Sequence, residues 1–462
     1  MGYAGQFGWK YGLASTWIGI GNAVIGSLMA WVVLGRRTKV MTQYLNSKTM
    51  PDFFGSRYGS KPLKIAASAI VFVFLVPYTA SIYNGLSRLF EMAFHIPYAW
   101  CVIGMAVFTG IYVILGGYMA TAINDFIQGI IMLAGIIVVI AAVLNGQGGF
   151  LEAVGRMAEI PSDVEITLGQ PGAFTSIFGP DPGNLLGVVI LTSLGTWGLP
   201  QMIGKFYAIK DEKSINTGTV ISTVFAIVVS GGCYFLGGFA RLFDAPAIYD
   251  EAGAVVYDSI IPHMLSALPD ILIGIVVVLV LSASMSTLAS LVLTSSSTLT
   301  LDFLKDNLLK EMSEKRQVRT MQVLVIFFIA VSVFIALDPP TFIAQLMGIS
   351  WGALAGAFLA PFLYGLYWKG TTRAGVWASF IVGVGITVVN MFMPFIESSI
   401  NAGAAAMVAG LIVVPVVSLI TPKLSREKTD AIFSCYEEKV TITKNVHWSR
   451  TKGMIKKIKE SD

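Results

Sequence analysis

Polar positions interrupt this chain at intervals that match the thickness of a bilayer. Runs of Leu, Ile, Val, Phe and Ala, each about 20 residues long, recur along most of the sequence, which is the length a helix needs to cross a hydrocarbon core. Eleven such runs are predicted as membrane-spanning helices, at about 11–34, 64–91, 98–118, 125–145, 184–204, 216–240, 270–299, 320–337, 343–368, 374–395 and 403–421. Two longer polar segments, 146–183 and 241–268, contain short amphipathic pieces, FLEAVGRMAEI and PAIYDEAGAVVYDSIIPHML. An odd number of crossings places the termini on opposite sides of the membrane.

Charge assigns the sides. The connections at 35–63, 205–214, 301–319 and 369–373, with the tail from Pro422, hold almost all the Lys and Arg, whereas 146–183 and 241–268 carry only Arg156 and Arg241. Basic connections stay in the cytoplasm, so the N-terminus is expected outside and the C-terminus in the cytoplasm, with the chain in the plasma (inner) membrane. The tail, 422–462, is mixed in sign and ends basic, as expected of a solvated or headgroup-associated segment.

Composition agrees. Of 462 residues 55% are hydrophobic and only 13% charged, against about 25% charged in soluble domains, and the mean hydropathy is +0.74. The expectation is an all-α polytopic membrane protein, not a soluble enzyme or a nucleic-acid binder; a net charge of +4 adds little. Cys101, Cys233 and Cys435 form no CxxC pattern, so neither a disulfide nor a metal cluster is expected. No HExxH and no clustered Asp inside a span support an intramembrane enzyme. The opening MGYAGQFGWKYGLAS lacks the basic start and cleavage site of a signal peptide.

Hydroxyl and ionisable groups inside spans are costly unless they face a bundle interior or water, and three patches meet that condition. The densest lies in VLVLSASMSTLASLVLTSSSTLT, where Ala283, Ser286, Thr287 and Ser290 share one helical stripe. Hydroxyl and carbonyl oxygens are hard, neutral ligands suited to an alkali cation; small hydroxyls also serve close helix packing. In TSLGTWGLPQMIGKF, Gly195, Gly198 and Pro200 predict a helix broken within the membrane, with Thr192, Thr196, Trp197 and Gln201 beside the gap. A simple proline kink is the other reading. Asp125, in GGYMATAINDFIQG, opens a span as a helix cap or as an acid that eases cation release.

Together the stretches TMPDFFGSRYGS, YTASIYNGLSRLFE, ILGGYMATAINDFIQG, LPQMIGKFYAI, SASMSTLASLVLTSSS and GISWGALAGAFLAPFLYGLYWKGTTRAGVWAS resemble the sodium:solute symporter family over nearly the whole chain, most of all its sodium/proline branch. The resemblance implies a LeuT-like fold of two inverted five-helix repeats around a midplane site. It places sodium against the Ala283 carbonyl and the Ser286 and Thr287 hydroxyls, with Asp125 and Ser290 near a second or exit position. It places solute near Tyr78 and Ser81, with Thr192, Thr196, Trp197 and Gln201 along the broken helix. The proline branch carries aromatic residues where this chain has Thr192 and Thr196, which implies a larger, more polar pocket.

The resemblance also implies two helices ahead of the span that begins near Tyr11. The expectation is therefore an N-terminally truncated transporter, with an incomplete first repeat over 1–145, a second repeat over about 184–368 and extra helices over 374–421, all in one transmembrane domain. The expected function is sodium-coupled uptake of a small organic solute, either proline or another amino acid, carboxylate or polyol. The expected partners are Na⁺, the solute and the bilayer. A membrane-embedded solute sensor and an inactive truncated carrier are the alternatives; the tail has no kinase domain to serve the first.

Overall fold

The computed structural model describes residues 2–209, 212–305, 312–340 and 343–437, with the side chains at 2, 117–122, 212–213 and 305 left aside. The described residues are helical apart from connections, with one isolated bridge between Tyr249 and Val255. Among them ten helices are long and apolar enough to cross a membrane, and one bent pair brings the number to eleven. In chain order the crossings are Tyr3–Tyr44, Lys61–Phe94, Tyr98–Gly116, Ile123–Gly146, the pair Pro182–Gly198 and Pro200–Tyr207, Ser214–Gly237, Asp270–Leu304, Glu314–Leu337, Ile343–Tyr367, Arg373–Phe392 and Ser399–Ile420.

The first of these is not one straight rod. Gly12 takes φ +58°, and a Cβ there would lie 2.1 Å from the Phe174 carbonyl oxygen. The chain therefore turns at Gly12, separating the Gly2–Tyr11 helix from the longer run that follows. The third and fourth crossings share continuous helical backbone from Tyr98 to Gly146. Asn124 nonetheless donates to the Tyr112 hydroxyl at 2.9 Å, although twelve residues of straight helix extend about 18 Å. The helix is therefore bent between them, and its two apolar stretches, Tyr98–Gly116 and Ile123–Gly146, are each long enough to cross.

The fifth crossing breaks where Gly195, Gly198 and Pro200 remove helix propensity. Helix Pro182–Val189 passes into a π turn over Ile190–Leu194 and a 3₁₀ turn over Gly195–Gly198. Leu199 is extended, with ψ 120°, and Pro200 starts the next helix after a bend of 44°.

The ninth crossing is the packing axis. Of its most apolar window 89% is buried, because small residues let neighbours approach. A Cβ on Gly352 would come within 2.7 Å of Gly403 Cα, and one on Gly383 within 2.2 Å of the Gly356 carbonyl carbon.

Charged groups lock one end of the bundle. Lys64 holds Asp52 at 2.7 Å and Asp302 at 3.3 Å, tying the start of the second crossing to the end of the seventh. Arg57 is buried and donates to the carbonyls of Gly365 and Trp368. The tail departs from the solvated segment expected of it. As far as residue 437 it folds back onto this end, with Ile432, Phe433 and Cys435 buried. Arg37 lies between the rings of Tyr367 and Tyr436, 4.1 and 4.6 Å from their centroids, and Lys369 pairs with Asp430 at 2.7 Å. Apolar side chains in this stretch gain more from the bundle than from water. Residues 438–462 lie outside the described residues.

Candidate functional site

The seventh crossing meets the broken fifth across a cavity of about 560 Å³. Ala283 and Thr287 line it from the seventh, Thr192 and Thr196 from the fifth, and Tyr78 and Ser81 from the second. Thr287 Oγ1 donates to the Ala283 carbonyl at 2.9 Å, leaving the hydroxyl lone pairs for a ligand while that carbonyl also accepts the helix's own amide. Thr196 Oγ1 has two carbonyls within reach of its one proton, Ser193 O at 2.8 Å and Gly26 O at 3.2 Å, and the second brings the break against the first crossing. Thr192 is satisfied within its own helix by Val188 O at 2.8 Å. Ser81 spends its proton on Tyr78 O at 2.7 Å, so the Tyr3 hydroxyl donates to Ser81 Oγ at 3.0 Å.

A second cavity of about 230 Å³ is lined by Asp125, Gln201, Ser290, Thr294 and Lys48. Lys205 lines both cavities, so they adjoin at its side chain. Ser286 turns towards Asp125 and away from the first cavity's wall. The stripe read from helical spacing is therefore divided between two chambers, with Ala283 and Thr287 in one, and Ser290 in the other. Gln201 lines the second chamber, not the first. Trp197 lines neither: its Nε1 donates to Ile25 O at 2.9 Å and its ring is buried, fastening the break to the first crossing.

Several lining residues were not foreseen. Tyr3, Asn22, Ser27, Ser222, Ser230 and Trp351 all face the first cavity. Asn22 donates to Ser230 Oγ at 3.1 Å and accepts from Ser193 at 3.2 Å, and Ser27 and Ser222 lie 2.9 Å apart. A lone Asn in the apolar run GIGNAVIG was the available signal. Hydropathy does not show that the backbone is π-helical at Asn22–Met29, Ile190–Leu194 and Ala226–Gly231, three turns that each contribute to this wall. Such turns occur often at functional sites, because an i→i+5 bond re-aims side chains.

The arrangement supplies neutral oxygens facing a chamber roomy enough for a small organic molecule, at a helix break. These features are those of a membrane carrier. The chain belongs to the sodium:solute symporter family, whose model matches residues 1–383. It is 29% identical over 446 residues to a sodium/proline symporter of Staphylococcus aureus, an alignment covering 92% of this chain and 82% of that one. Its fold is similar to that of a Na⁺-coupled sialic acid symporter in a substrate-bound, outward-open state, at TM-score 0.68 and 13% identity over 92% of this chain and 91% of that chain. It is also similar to Mhp1, a nucleobase-cation-symport-1 family transporter, at TM-score 0.53 and 13% identity over 93% and 91%. These likenesses establish a LeuT-like all-helical fold, and the family makes sodium the coupling ion.

Proposed function

We propose that this protein carries a small organic solute into the cell together with Na⁺, binding the ion beside Ala283 and Thr287 and the solute between Tyr78, Ser81, Thr192 and Thr196. One observation carries the reading: Ala283, Ser284 and Thr287 of the seventh crossing and Thr192 and Thr196 of the broken fifth line a single chamber. An ion bound on one wall favours the conformation in which the opposite wall is formed. The solute must favour the ion to the same extent, because coupling between two ligands is reciprocal.

The basic end, with Lys64, Arg57 and Lys369, faces the cytoplasm in this reading, by the distribution of positive charge. The second chamber then lies on the inward path, and Asp125 and Ser290 receive the departing ion. A membrane potential adds about 2.3 kcal/mol per charge per 100 mV to inward movement. L-proline is the first solute to test, given the similarity to sodium/proline symporters. Hydroxyls at Thr192 and Thr196 leave room for larger or more polar solutes.

The test is uptake of radiolabelled L-proline and a panel of amino acids, carboxylates and polyols into proteoliposomes. A member of the panel is expected to accumulate in sodium buffer and not in choline buffer. Equal uptake in both would remove the coupling.

A further inference from the structure

Lys205 is the one Lys or Arg among the described residues that line the first cavity, and it lines the second as well. It stands on the helix that follows the break, Pro200–Tyr207, with its side chain exposed. No hydrogen bond or ion pair to the described residues holds it in place. A long, unfastened chain with a fixed positive charge therefore sits where the two chambers adjoin.

Asp125 is the one Asp or Glu on the wall of the second chamber among the described residues. Its Oδ1 is buried and has no hydrogen-bond partner in the protein, so the carboxylate's charge is only partly compensated there. Of the two lysines on that wall, Lys48 and Lys205, it is Lys205 that acts on the Asp125 carboxyl. The hydroxyls of Ser290 and Thr294 complete the surroundings.

A carboxylate with neutral oxygens beside it suits two monovalent cations equally, a free Na⁺ and a lysine ammonium. It neutralises only one of them. Holding both would leave a net positive charge in a site partly withdrawn from water, which is costly. The ammonium is tethered and always within reach, whereas Na⁺ must be supplied from solution or from the first cavity.

We propose that the Lys205 ammonium is the resident partner of Asp125, a built-in cation that holds the second position and clears it of Na⁺. The protein then binds one Na⁺ at equilibrium, beside Ala283 and Thr287, and no second ion. An ion leaving the first cavity meets Asp125 while Lys205 stands aside, the arrangement seen in the structure, and the returning ammonium displaces it towards the basic end. The inference rests on the reading of Ala283 and Thr287 as the first sodium position.

The experiment uses the full chain purified in detergent, with radiolabelled Na⁺ alone as the probe, and counts the ions bound per chain at saturation. Wild type is expected to bind one and Lys205→Gln two. Adding Asp125→Asn to Lys205→Gln should return the count to one, and Lys205→Arg, which keeps the charge, should leave it at one. Lys205→Met, of similar length and uncharged, takes the place of Lys205→Gln if melting shows the latter to be unfolded. Two ions on the wild type or on Lys205→Arg, no gain in the uncharged variant, or a gained ion that survives Asp125→Asn would overturn the proposal. No ion on the wild type, with one on Lys205→Gln that Asp125→Asn removes, would support it while removing the sodium position at Ala283 and Thr287.

Discussion

The ring of Trp351 meets that of Tyr78 edge to face, with centroids 5.6 Å apart and planes at 89°. The contact joins the ninth crossing to the second at the chamber wall, and both rings are largely buried. Edge-to-face pairs contribute about 0.5–1.5 kcal/mol beyond burial of their area. Tyr78→Ala removes both the contact and one wall of the chamber. It is expected to raise the solute concentration for half-maximal uptake roughly tenfold, the equivalent of about 1.4 kcal/mol. Tyr78→Phe, which keeps the ring, should stay within about threefold by the same conversion. A concentration series of uptake for the two variants checks this, and equal behaviour of Ala and wild type would remove Tyr78 from the site.

Thr287 Oγ1 and the Ala283 carbonyl lie 2.9 Å apart on one turn of the seventh crossing. Thr287→Val keeps the shape and deletes the oxygen, so the Na⁺ concentration for half-maximal uptake should rise at least tenfold; Thr287→Ser should restore most of the response. The double change Ser286→Ala with Thr287→Ala is expected to be at least as severe. Unchanged sodium curves would leave this stripe a packing feature only.

Asp258, on the short helix Tyr257–Ser266 outside the crossings, accepts from the Ile343 amide at 3.3 Å and from Asn84 at 3.4 Å. Burial pushes its carboxyl up to about 6, against opposing contributions from the Ile343 amide, Arg88 and Asn84. In the unfolded chain it ionises near 4. Between these values the unfolded chain has lost a proton that the folded one keeps, so this residue's contribution is full below about pH 4 and is lost as pH rises through about 6. Asp258→Asn should flatten that part of the profile, removing roughly 1–3 kcal/mol of its pH dependence. Melting temperatures of both proteins from pH 4 to 7 check it, and parallel curves would show that Asp258 is not the group responsible.

Gly383 tests the packing axis. Its Cβ would sit 2.2 Å from the Gly356 carbonyl carbon, which is backbone and cannot swing aside. Gly383→Ala should therefore destabilise the fold by at least about 1–3 kcal/mol, the usual cost of overpacking, seen as a lower melting temperature in detergent. Gly385 has open space where its Cβ would lie, and Gly385→Ala should leave that temperature nearly unchanged.

Much of this protein was legible before any coordinates. Apolar runs separated by polar breaks predict eleven crossings, and the eleven found among the described residues agree in place, with ends a few residues longer or shorter. The exception is the first, whose helical backbone extends well beyond both predicted ends. The break at Gly195 to Pro200 was legible because glycine and proline act through their own backbone chemistry, whatever surrounds them. The docked tail was not, since FSCY within a charged stretch shows no partner until Arg37, Arg57 and Tyr367 are seen beside it.

The chamber itself divides along the same line. Spacing on one helix put Ala283, Ser286, Thr287 and Ser290 on a common face, which is a local property of a 3.6-residue repeat. Helix crossing and π turns then assigned Ala283 and Thr287 to one cavity and Ser290 to another, and brought in Tyr3, Asn22 and Trp351 from segments far away in the chain. Hydropathy and backbone propensity act over a few residues, so the sequence by itself determined the crossings and the break. Which polar groups face one another depends on how separate helices rotate and pack, and only the tertiary structure decided that.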